Sequence, residues 1–98
     1  MADSVSEDVR PVRVETGVSA EIVGTDYTLH DGRTGKVHFL NATAALIWDL
    51  ADGTRDVRTL LEELGRHFGR PGSELRSEVE QLLLELEDKG LIELARLG

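Results

Sequence analysis

Apolar residues recur along the chain in two rhythms, alternating as far as residue 40 and spaced three and four apart beyond it. Val12 and Val14 alternate with Arg13 and Glu15, Gly17 interrupts, and Val18 to Val23 (VSAEIV) has a strand's composition up to Gly24. Tyr27 to His30 follows and ends in Asp31-Gly32-Arg33-Thr34-Gly35, whose glycines suit a hairpin loop, and Lys36 to Leu40 (KVHFL) returns. The pattern predicts a three-stranded antiparallel meander, too small to be stable unless one face is covered.

The cover is helical. Asn41 is placed to accept the first free amides of a helix over Ala42 to Asp52, with Ala44, Ile47, Trp48 and Ala51 on one face, Leu46 and Leu50 beside it, and Gly53 as a left-handed cap. Asp56 caps a second helix through the stripe Val57, Leu60, Leu61, Leu64 and Phe68, which Gly69 and Pro71 end. Ser73 caps a third, with Leu75, Val79, Leu82, Leu83 and Leu86 in its stripe and Gly90 as its stop, and Leu91 to Ala95 adds a short strand or wing. The fold class is α+β, a three-stranded antiparallel sheet followed by a three-helix bundle. Met1 to Val9 is acidic and without periodicity, so residues 1–10 are expected as a disordered acidic tail and 11–98 as the single domain.

Leu84 does not fit this plan. It lies about 200° around the third helix from Leu82, on the flank that carries Arg76 and Glu80. It is either a singly exposed leucine or one wall of a groove.

At 98 residues with 40% apolar content the chain folds around one core without metal or disulfide staples, and having no cysteine it offers no thiolate. No apolar run reaches the roughly 20 residues of a membrane span and no signal peptide is present, so a cytoplasmic, membrane-free protein is expected. The net charge of -8 disfavours a sequence-independent grip on phosphates and suits solubility or a basic protein partner. His30 and His38 lie on opposite arms of the hairpin, and pairing of His38 near Tyr27 or Thr28 sets them about 13 Å apart at about 3.3 Å per residue, beyond a shared ion. His67 reads as a surface residue near a helix C-terminus. Glu62, Glu63, Glu85, Glu87 and Asp88 read as a solvated face, there is no glycine-rich phosphate loop, and no serine sits in a nucleophile elbow. No catalysis, metal or cofactor is expected. Asp3-Ser4-Val5 looks superficially like a phosphopantetheine attachment triplet, but it precedes three strands instead of opening a helix.

The run LNATAALIWDLADGTRDVRTLLEELGRHFG, followed by a helix ending DKGLIEL, resembles the family of the pyrroloquinoline quinone synthesis protein PqqD. The residues that carry it are Leu40, Asn41, Thr43, Ala44, Asp52-Gly53, Thr54, Val57, Leu60, Leu61 and Gly90-Leu91-Ile92, and the likeness covers about Val18 to Leu94. It implies a winged helix-turn-helix that is not an enzyme but a recognition element for ribosomally made, post-translationally modified peptides, holding the leader segment of a precursor for a modifying enzyme. The implied grip is strand addition on Lys36, Val37, His38, Phe39 and Leu40, with side chains set into a trough beside the third helix, where Arg76, Glu80, Leu83 and Leu84 are the candidates. Either Val37 and Phe39 or Lys36, His38 and Leu40 meet the core. The implied partner enzyme is a radical S-adenosylmethionine enzyme, as in quinone cofactor synthesis, or the leader peptidase of lasso peptide assembly, and the segment YTLHDGRTGKVHFLN is more like the general peptide-recognition group than the quinone branch. Two other readings remain. A winged-helix DNA-binding regulator conflicts with the seven carboxylates against Arg76 and Lys89 between Glu74 and Glu93, and a dimerisation module would use the same strand edge to form a homodimer.

Overall fold

The structure, a computed structural model, describes residues 5–95 and orders them as β1 (Arg10–Arg13), β2 (Val18–Val23), β3 (Asp26–Asp31), β4 (Lys36–Leu40), α1 (Ala42–Leu50), α2 (Val57–Phe68), α3 (Gly72–Asp88) and β5 (Ile92–Ala95). The architecture is α+β. Strands β2, β3 and β4 form the expected antiparallel meander, while β1 and β5 pair into a separate ribbon. The alternation around Val12 therefore marks a strand of its own. Its partner is the strand expected after Gly90, with Arg10 opposite Ala95 and Arg13 opposite Ile92, so β5 does not return on itself as a wing.

The helix starts follow local chemistry. The Asn41 side chain accepts the Ala44 amide at 2.8 Å and Asp56 accepts that of Thr59 at 2.9 Å, each satisfying a donor with no partner inside its helix. Two boundaries differ from expectation. Helix α1 stops at Leu50, and Gly53, with φ of +86°, lies beyond the cap and donates its amide to the Pro11 carbonyl at 3.0 Å, so its left-handed backbone serves the approach of β1. Helix α3 begins directly after Pro71, whose extended backbone occupies the cap position, and Ser73 falls within the first turn.

Helices α2 and α3 approach closely because Gly65 and Gly72 face the turn between them. A Cβ on Gly65 would stand 2.6 Å from the Arg70 carbonyl oxygen, and one on Gly72 would stand 2.9 Å from that of Leu61. At its other end α3 closes through paired bonds, Leu91 amide to Leu86 carbonyl and Gly90 amide to Glu87 carbonyl, both 2.9 Å. Gly90, at φ +73°, turns the chain so that Leu91 enters the core with Leu86. The Leu91 carbonyl then accepts the Trp48 indole N–H at 3.0 Å.

Every apolar face expected of α1 and α2 is turned inward, with Phe68 half-buried, and in α3 Leu75, Val79, Leu83 and Leu86 are buried while Leu82 is only partly so. The segment expected as a disordered tail departs from that expectation: Met1 to Ser4 lie outside the described residues, but Val5 and Val9 belong to the core, 2% and 3% exposed. They are four apart in a chain with no regular period, so neither rhythm marked them. No helix among the described residues is long and apolar enough to cross a membrane.

Candidate functional site

The register of the meander decides which side chains of β4 are available. Leu29 lies opposite His38 and His30 opposite Val37. Because side chains alternate, Lys36, His38 and Leu40 share the helix-facing side with the buried Leu29, while Val37 and Phe39 share the outer side with His30 and Thr28. His38 and Leu40 are half-buried, whereas Phe39 is 72% exposed. This register also shortens the expected separation of His30 and His38: they occupy neighbouring rungs on opposite faces. The His30 ring meets the Glu21 carboxylate at 3.1 Å.

Sheet order makes β4 an edge, with β3 on one side and no strand on the other among the described residues. Beside that edge a cleft of about 110 Å³ opens between β4, the start of α1 and α3, lined by Phe39, Leu40, Asn41, Ala44, Leu82, Glu85, Leu86 and Lys89. From α3 it takes residues i, i+3, i+4 and i+7, one flank of the helix. Its floor is aliphatic and its rim carries one carboxylate and one ammonium group. Such a cleft can seat an apolar side chain of an extended segment whose backbone bonds to β4.

The helix residues expected in the trough lie elsewhere. Leu83 is fully buried. Arg76 and Glu80 pair with each other at 2.8 Å and face the N-terminal segment, Arg76 meeting Glu7 and Glu80 accepting the Val5 amide at 3.5 Å. Leu84, one turn further, is half-buried against the core on that same flank. The structure thus brings Phe39 and Leu40 together with Leu82, Glu85, Leu86 and Lys89, and not with Arg76, Glu80 or Leu84. The available signal was Leu82, at the rim of the core stripe and seven residues before Lys89.

The two walls of the cleft are fastened at both ends. At one, β4 runs through Asn41 into α1. At the other, the Arg33 guanidinium holds the Asp31 carboxylate by two bonds of 2.9 Å and donates a third, also 2.9 Å, to the Gly90 carbonyl at the end of α3. The Arg33 hydrogen bond is the largest influence on Asp31 and lowers its pKa to about 2, against the smaller opposing effect of burial. The hairpin loop is therefore tied to α3 by a charged clasp.

Among the described residues no three potential ligands cluster to hold a metal ion. A model of the family described as Coenzyme PQQ synthesis protein D (PqqD) matches residues 26–92, from the start of β3 to the first residue of β5. Neither the comparison with curated proteins nor that with solved structures gave a match.

Proposed function

The chain belongs to the PqqD family, and from that premise we propose that it is a non-catalytic adaptor that captures the leader segment of a ribosomally made precursor peptide and presents the core segment to a modifying or proteolytic enzyme. The observation that carries this reading is the coincidence of a strand edge unpaired among the described residues with a cleft of aliphatic floor and polar rim alongside it. In an antiparallel edge, alternate residues direct N–H and C=O outward, so five residues offer about four to six backbone bonds at about 1 kcal/mol each. The peptide adds antiparallel or parallel to Lys36–Leu40, one apolar side chain enters the cleft over Leu40, Ala44, Leu82 and Leu86, and the exposed Phe39 ring covers a neighbouring residue. On the helix side the peptide is placed against Leu82, Glu85 and Lys89, which line the cleft, and not against Arg76, Glu80, Leu83 or Leu84.

The winged helix-turn-helix implied by the family is part of this proposal, supported by three consecutive helices, α1 to α3, followed by β5. The partner is a radical S-adenosylmethionine enzyme or a leader peptidase. Titration calorimetry with the leader of a precursor encoded beside the gene should give saturable one-to-one binding. A flat trace, with sedimentation as a dimer, would replace capture of a leader by self-association through the same edge.

A further inference from the structure

Residues 5–9 fall outside the family-matched stretch, yet they are built into the helical layer. Glu7 spans two helices, its carboxylate meeting Arg58 of α2 at 3.1 Å and Arg76 of α3. The carbonyls of Val9 and Glu7 accept the amides of Val57 and Arg58 at 2.9 and 3.1 Å. These are the first two amides of α2, which have no partner within the helix. Asp56 supplies the next two, its side chain to Thr59 and its carbonyl to Leu60. On α3 the segment grips Arg76 and Glu80, and Val5 is buried beside them. That flank is opposite the one whose Leu82, Glu85 and Lys89 wall the cleft.

We infer that Val5–Val9 is a strap that fixes the position of α3 and thereby the width of the cleft, a positioning element for peptide capture that does not touch the peptide. The inference rests on the proposed capture at the cleft. Helix α3 is clamped at its C-terminal end by the Gly90 turn and by Arg33, so it is the Arg76 and Glu80 turns that the strap must hold. With its C-terminal end held, α3 pivots about that end when the strap is loosened, and Leu82, about two turns away from it, shifts against β4. The cleft, only about 110 Å³, admits little variation before a seated side chain loses contact.

Two of the strap's attachments are main-chain carbonyls, which no side-chain substitution removes. The informative variant is therefore V5D/E7K in the full chain, which places an acid where Val5 is buried and a cation against Arg58 and Arg76. Amides of Ser77 to Glu85 in the unliganded variant are expected to exchange at least about tenfold faster than in the wild type. With a fluorescein-labelled leader peptide, Kd should rise by about tenfold, while Leu50→Ala, which trims a half-buried side chain away from strap and cleft, lowers Tm and leaves Kd within about twofold. Unchanged exchange in α3, or a Kd that follows Tm equally in both variants, would overturn the inference. A wild-type chain that ignores the leader would instead strike the capture reading, and exchange would then judge the strap's hold on α3 by itself.

Discussion

Replacing Leu82 by Glu tests the cleft at its helix wall. Leu82 is half-buried, it lines the cleft, and Glu85 stands one turn further along the same flank, so the substitution puts a second carboxylate beside the aliphatic floor. A peptide side chain of valine or leucine size that fills the cleft contributes about 1.5–3 kcal/mol by leaving water. Losing that contribution weakens binding by roughly 10- to 150-fold, since about 1.4 kcal/mol corresponds to a factor of ten. Leu84→Glu is the matched control. Leu82 and Leu84 flank the fully buried Leu83, both pack partly against the core, and both lose a similar apolar contact when replaced, so their effects on Tm should be alike. Only Leu82 faces β4. Fluorescence anisotropy with a labelled leader peptide, with thermal melts of both variants, separates affinity from stability. If Leu82→Glu binds within about twofold of wild type, or Leu84→Glu loses more, the cleft is not where the peptide sits.

Other perturbations address the frame around the cleft. Asn41→Ala removes the acceptor of the Ala44 amide and should cost about 1 kcal/mol, seen as a fall of about 4–8 °C in Tm; an unchanged Tm would mean water replaces the cap. Gly65→Ala should destabilise despite alanine's better helix propensity, because its Cβ would meet the backbone of Arg70 and Gly72, and a rise in Tm would show that the turn relaxes instead. The folded-state pKa of Asp31 lies below its unfolded value near 4, held to about 2 first by the Arg33 hydrogen bond, and Asp52 is held to about 2 by the Thr54 side chain first. Such depressed carboxyls stabilise fully above pH ~4 and lose that contribution as the pH falls towards ~2, so Tm should be level above pH ~5 and decline below pH ~4. Asp31→Asn should shrink the decline; an equal decline in the variant would assign it elsewhere.

The meander and the three helices were legible because each declares itself by a local period and a local cap. Val57, Leu60, Leu61 and Leu64 at helical spacing leave one packing solution, and Asn41 and Asp56 cap as their side chains allow. What sequence did not reveal is long-range. The pairing of β1 with β5 joins residues more than 75 apart, and two short runs carry no mark of a mutual preference. Val5 and Val9 enter the core from a segment whose composition is that of a disordered chain, because two buried valines and a few main-chain bonds suffice to hold a short strap. At the cleft, Phe39 and Leu40 come from the run KVHFL, while the helix wall depends on how α3 is rotated. Spacing puts Leu82 in the core stripe and Leu84 outside it, whereas Leu82 lines the cleft and Leu84 packs on the core on the flank of Arg76 and Glu80.

The most direct test of strand addition is hydrogen exchange by NMR of β4, with and without a saturating leader peptide. The account predicts that two or three alternate amides among Lys36, Val37, His38, Phe39 and Leu40 gain protection, with cross-strand contacts to the peptide backbone and shifted methyls at Leu82 and Leu86. Protection that appears at β2, or shifts confined to Arg76, Glu80 and Leu84 while β4 exchanges as before, would contradict it.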